Sequence, residues 1–98
     1  MVRAMELIPA IRARLRELDG QRGDALASGR RAAFWRAQQH AARPSRTLAE
    51  LRRYCLDSLR SRLLDEEDEN DYLRGYRQGF QAVLEEIRRL ETRQSQRT

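Results

Sequence analysis

Asn70–Arg93 reads NDYLRGYRQGFQAVLEEIRRLETR, and its apolar residues decide the fold class. Leu73, Tyr76, Phe80, Val83, Ile87 and Leu90 recur at gaps of three and four, which draws one stripe along one side of an α-helix. At about 1.5 Å per residue the helix would run about 35 Å. Such a stripe needs a cover, from other helices of the chain or from copies of itself.

Working towards the N-terminus, Asp65–Asp71 (DEEDEND) leads into this helix, with Asp68 or Asn70 as its cap and the acids favouring its positive dipole end. Before it, Thr47 and Glu50 form a capping box that opens a helix carrying Leu48, Leu51, Cys55, Leu56, Leu59 and Leu63 on one arc. The preceding segment, 25–42, is capped by Asp24 and closed by Pro44. Its small residues (Ala25, Ser28, Gly29, Ala32, Ala33, Ala37, Ala41) allow close packing, and Phe34 and Trp35 are its large anchors. The first helix repeats the narrow stripe with Ile8, Ile11, Leu15 and Leu18. Pro9 fixes its start near Leu7 or Ile8, and Gly20 is expected to end it in the left-handed conformation.

The expectation is a single all-α domain, 1–98, with helices near 7–19, 25–42, 47–64 and 70–93 and a frayed tail over 94–98. The last two helices are expected as an antiparallel hairpin with coiled-coil-like packing. Ala, Leu, Glu and Arg make up more than half of the 98 residues, a helical composition. Only 6% are aromatic, so the core is lean and oligomerisation would help to cover it.

All 20 basic residues are Arg, and the net charge is +5. Residues 1–64 carry 14 Arg against six acids, whereas Asp65, Glu66, Glu67, Asp68, Glu69 and Asp71 form a belt without a base. Basic blocks on either side of that belt can pair with it within or between subunits. The lone Cys55 excludes an internal disulfide and suits a reducing compartment. No apolar run is long enough to span a membrane, and the charged N-terminus does not read as a secretory signal. RGD at 22–24 is therefore not taken as an integrin motif. The place expected is the cytosol, or a virion.

Four features bear on function. Gly75 and Gly79 make a G-x-x-x-G, read as close helix packing, because each Gly costs about 1 kcal/mol against Ala inside a helix. Arg30, Arg31, Trp35 and Arg36, followed by Gln38, Gln39 and His40, could contact nucleic acid through phosphates and base stacking. The competing arrangement buries Phe34 and Trp35 and stacks Arg31 on Trp35. The acidic belt lacks the Gly and spacing of an EF-hand loop, and His40 has no second ligand beside it for zinc. Cys55 reads as a small core residue. No nucleophile, base and orienter assemble, so no enzyme, metal or cofactor is expected.

Asp71–Glu86, DYLRGYRQGFQAVLEE, resembles a helix of small tailed-phage proteins encoded near terminase and portal genes. The resemblance covers 16 residues and implies a phage or prophage origin, near virion assembly or DNA packaging. The functional expectation is a non-enzymatic helical assembly protein acting as a homo-oligomer. Tyr72, Leu73, Tyr76, Phe80, Val83, Ile87 and Leu90 would form its interface, with another phage or host protein as a further partner. One alternative is an Arg-rich nucleic-acid-binding module. Another is an inhibitor of a host protein acting through the acidic belt.

Overall fold

Asn70 starts the organising helix: its Oδ1 accepts from the Leu73 amide at 2.9 Å, which satisfies one of the first-turn donors. The computed structural model describes residues 2–21, 23–60 and 70–96. Among the described residues, a 3-10 turn at Ala4–Leu7 is followed by four helices: α1 (Ile8–Glu17), α2 (Ala25–Ala41), α3 (Leu48–Leu59) and α4 (Asp71–Gln96). The protein is an all-α helical bundle. Asp24 caps α2 through the Leu26 amide, and Thr47 and Glu50 close a reciprocal capping box on α3.

The core is shared by all four helices and the N-terminal turn. Ala4, Leu7, Ile11 and Leu18 meet Ala33, Phe34, Ala37 and Ala41 of α2, Leu48, Leu51 and Cys55 of α3, and Phe80, Val83 and Ile87 of α4. The chain's own helices thus cover the α4 stripe. That corrects the expectation of an oligomer interface at Phe80, Val83, Ile87 and Leu90, which are 0%, 1%, 0% and 8% exposed. Leu73 and Tyr76 are half-buried, and only Tyr72 of that set remains well exposed.

The chief partner of α4 is α2, which packs on it in addition to the expected antiparallel α3. The two helices run parallel, since Leu26 lies on Gly75, Arg30 on Gln78, and Ala33 on Gly79. A methyl group built on Gly75 would sit 2.8 Å from the Leu26 carbonyl carbon, and one on Gly79 would sit 2.6 Å from Ala33 Cβ. From the other side, a methyl group on Gly29 would approach the Tyr76 amide nitrogen to 2.7 Å. The backbones themselves are in contact. Buried residues follow at four-residue spacing on both helices, Gly29, Ala33, Ala37 and Ala41 against Gly75, Gly79, Val83 and Ile87. Such rows are the ridges and grooves that let two helices interlock. α3 does pack antiparallel to α4, as the pairs Arg52–Glu91 and Tyr54–Phe80 show.

Other boundaries differ from expectation. The regular helix of α3 ends at Leu59 rather than Leu64; residues 61–64, with Leu63, lie outside the described residues. α4 continues to Gln96, through most of the expected tail. Gly23, with φ 89°, takes the left-handed conformation, not Gly20. Leu56, assigned to the buried arc of α3, is 37% exposed. The N-terminus is pinned by a bridge between Arg3 and Thr47, with Ala4 N donating to Arg46 O and Leu48 N to Val2 O, both at 2.9 Å.

Gly75→Ala weighs two effects of opposite sign. Helix propensity favours Ala by about 1 kcal/mol, but the neighbour is a backbone carbonyl that cannot turn aside, and overpacking costs roughly 1–3 kcal/mol. The clash wins. Thermal unfolding should show Gly75→Ala melting several degrees below the wild type, about 4–8 °C per kcal/mol lost for a domain of this size. Gly20→Ala, which meets nothing within 4 Å, should melt at or above the wild type.

Candidate functional site

The basic and aromatic residues of α2 divide between inside and outside. Phe34 is 3% exposed in the core, whereas Trp35, one residue and about 100° further round the helix, is 50% exposed. Trp35 is therefore not the second core anchor, and Arg31 does not stack on it. Arg31 Nη2 instead donates to the Leu18 carbonyl at 3.0 Å, which joins α2 to the end of α1. Arg30 Nε donates to Gln78 Oε1 at 2.9 Å, which joins α2 to α4. Both guanidinium groups are half-buried and serve the packing.

Arg36 is placed differently. It is exposed, and its Cζ lies 5.7 Å from the centroid of the Tyr76 ring, in cation–π range. Tyr76 stacks on Tyr72 with centroids 6.4 Å apart and planes at 19°. Arg36, Tyr76 and Tyr72 thus form a run at the edge between α2 and α4, and Tyr72 is 43% exposed. Trp35 stands apart from it, about 180° round α2 from Leu26, which lies on α4. Burial raises the Tyr76 pKa above its ordinary value, while the Arg36 guanidinium pulls it the other way. Among the described residues, nothing is hydrogen-bonded to Trp35 or stacked on it. Around it, Ala25 and Gln39 are exposed and Ser28 and Ala32 half-buried, so the outer face of α2 is uncharged except at its edges.

The aromatic run continues inward. Tyr76 meets Phe80 edge-on at 5.0 Å, Phe80 meets Tyr54 at 5.9 Å, and Tyr54 stacks on His40 at 4.3 Å. His40 Nε2 is buried without a hydrogen-bond partner. Desolvation first, then the cations Arg46 and Arg43, hold its pKa below the ordinary imidazole value, with Glu50 opposing them. A shallow pocket of ≈ 270 Å³ beside it is lined by Arg46, Glu50, Arg53 and Asp57, a balanced set of charges. A larger cleft of ≈ 410 Å³ between α1, α2 and α4 is lined by Arg14, Glu17, Arg30, Gln78 and Glu85. At the edge of that cleft Arg14 binds Glu86 at 3.0 Å, and Glu86 also accepts from Arg89.

Cys55 is fully buried, and desolvation pushes its thiol up to about 12, which keeps it protonated. Among the described residues no three His, Cys, Asp or Glu side chains gather as a metal site, and no helix is long and apolar enough to cross a membrane. Of the acidic belt only Asp71 is described; it is exposed in the first turn of α4, 3.9 Å from Arg74. Asp65, Glu66, Glu67, Asp68 and Glu69 lie outside the described residues. No family model matches the chain, and no curated protein and no solved structure is similar to it.

Because the fold disfavours the charged imidazole, His40 contributes stability that is complete above the unfolded-chain pKa of 6.5 and is lost as pH falls through the lower folded value. Denaturant unfolding should therefore show stability declining from about pH 6.5 downward. His40→Phe, which keeps a ring against Tyr54, should flatten that part of the profile. The fall below about pH 4.5 should remain in that variant, because Glu50 is held below its ordinary pKa by its capping bond to the Thr47 amide.

Proposed function

We propose that this is a non-enzymatic interaction module whose working surface is the patch around Trp35 on the outer face of α2. One observation carries the reading. The helices bury almost every large apolar side chain described, yet Trp35, the largest side chain of α2, is 50% exposed. Large exposed aromatic residues beside Arg are the composition of binding hot spots, and aromatic groups are enriched at interfaces for their area and polar edges.

The setting proposed is a phage or prophage assembly, in the host cytosol or a virion. It rests on the resemblance of Asp71–Glu86 alone. Within it the module would join another component of the particle, a second copy of itself, or the packaged nucleic acid. Self-association through the long α4 stripe is not part of this reading, because that stripe is used inside the molecule. Nothing among the described residues favours an inhibitor acting through its acids.

Trp35→Asp and Phe80→Asp separate the patch from the core. Trp35→Asp removes an exposed ring and should keep the helical circular dichroism, with stability changed by no more than about 0.5 kcal/mol. Phe80→Asp puts a carboxylate at a fully buried position and should unfold the chain. Native mass and the ratio of nucleic-acid to protein absorbance, recorded across a sizing column, should show Trp35→Asp folded but stripped of whatever the wild type carries or joins. A wild type and Trp35→Asp that behave alike at every concentration would contradict the proposal.

A further inference from the structure

We propose that His40 is an acid-sensitive latch for the N-terminus: a proton on its buried Nε2 loosens the connection between α2 and α3 and frees residues 2–4 from residues 46–48. The latch lies apart from the Trp35 patch and does not depend on that reading. Three observations meet at this joint. First, the ring is enclosed. His40, in the last turn of α2, lies flat on Tyr54 of α3, with centroids 4.3 Å apart and planes at 16°. Its Nε2 is buried without a hydrogen-bond partner. An imidazolium carries a proton on both nitrogens, so Nε2 then becomes a buried N–H with no acceptor. Leaving such a donor unsatisfied is costly.

Second, the surrounding charges oppose that proton. Arg43 and Arg46 of the connection both act against a cation at His40, whereas Glu50 of α3 favours one. Arg53 and Asp57, also of α3, line the adjoining pocket with opposite signs. On α2 itself Arg36, one turn earlier, is turned over Tyr76. α4 reaches the ring pair through Phe80, which is uncharged and edge-on to Tyr54. The face of Tyr54 attracts a cation, but Glu50 is already engaged. Its Oε1 accepts from the Thr47 amide and hydroxyl, and its Oε2 from Arg46. Burial and the two arginines outweigh the attraction.

Third, the connection carries the disturbance to the N-terminus. Arg43 N donates to His40 O and Arg46 N to Arg43 O, both at 3.3 Å. The Arg46 carbonyl in turn accepts from Ala4 N, and Leu48 N donates to Val2 O, both at 2.9 Å. The residue that a charged His40 repels is thus the residue whose carbonyl holds Ala4. Between them Ser45 stands at φ 64°, a left-handed conformation uncommon for a residue other than glycine. Opening the connection releases it.

The opening is local. Val2 is half-buried and Arg3 exposed, so the Ala4 methyl is the one fully buried group given up. Gly75 lies on Leu26, at the opposite end of α2 from His40, and that contact stays in place. At neutral pH the chain holds its first residues against the start of α3; in acid it offers them to solvent or to a partner.

The amides of Ala4 and Leu48 are the two donors of the bridge, so their hydrogen exchange reports the latch directly. The full chain would be followed by NMR from about pH 7.5 to about pH 5, with exchange expressed as protection against the intrinsic rate at each pH. Protection at both amides should hold above the ordinary imidazole value of 6.5. Below it, protection should fall by up to about tenfold per pH unit, the linkage of one proton. It should level off where the His40 ring signal itself titrates. Glu50 stays ionised over this range, because its bond from the Thr47 amide holds it below its ordinary value. Low concentrations of urea should hardly change exchange at Ala4 and Leu48, since a local opening exposes little surface, but should speed it at Ile87. His40→Phe and His40→Gln, which have no titrating ring, should both show protection at Ala4 and Leu48 that is flat with pH.

Flat protection in the wild type, or a fall equally steep in both variants, would overturn the latch. Exchange at Ala4 and Leu48 with the same protection and the same urea dependence as Ile87 would overturn it too, because the event would then be global unfolding.

Discussion

At the crossing of α2 and α4 no side chain separates the two backbones. Gly29 faces Tyr72 and Tyr76, Gly75 faces Leu26, and Gly79 faces Arg30 and Ala33. Each glycine gives up helix propensity of about 1 kcal/mol. The return is a row of close contacts that carries Ala33, Ala37 and Ala41 into register beside Val83 and Ile87. Because α2 and α4 run parallel, one connection must travel back along the bundle, and α3 makes that return as the antiparallel neighbour of α4. The N-terminal turn then closes the far end through the Arg3–Thr47 bridge.

Charge shapes the surface more than the core. Arg46–Glu50 and Arg89–Glu85 are i,i+4 helix pairs open to water, which screens them. Arg14–Glu86 is better placed, with Glu86 12% exposed and shared with Arg89. Arg30 and Arg31 use neutral acceptors, Gln78 Oε1 and the Leu18 carbonyl, to tie α2 to its neighbours. What remains at the surface is a positively charged molecule on which, among the described residues, Trp35 of α2 and Tyr72 of α4 are exposed aromatic rings. The glycine crossing sets Tyr72 and Tyr76 against α2 and leaves Trp35 on the helix's outer face.

Local signals in the sequence were legible. The caps at Asp24, Thr47 and Asn70 lie where side-chain chemistry places them, and the three-four spacing of α4 marks the face that is buried. The identity of the cover was not legible, because a stripe says that something must lie on it and not what. α2 hid its role: small residues that pack on glycine leave little periodic contrast, so the helix with the least pattern became the chief partner of the one with the most. Phe34 and Trp35 are adjacent large rings, and only the direction of the α4 contact decides which one turns inward. By sequence Tyr72 groups with the stripe as an interface residue. It stacks on Tyr76, and Tyr76 in turn meets Arg36 of another helix, a contact separated by 40 residues that no local pattern encodes. The Arg3–Thr47 bridge is non-local in the same way.

Native-state hydrogen exchange resolved along the chain tests the central claim most directly. If the α2–α4 crossing is the constraint on which the bundle rests, amides of Ala27–Ala41 and Gly75–Leu90 should exchange slowest and at one common free energy, as a single cooperative unit. α1 and the ends of α3 should open before them. Slow exchange confined to α3 and α4, with α2 opening early, would contradict the account and restore the antiparallel pair as the heart of the fold.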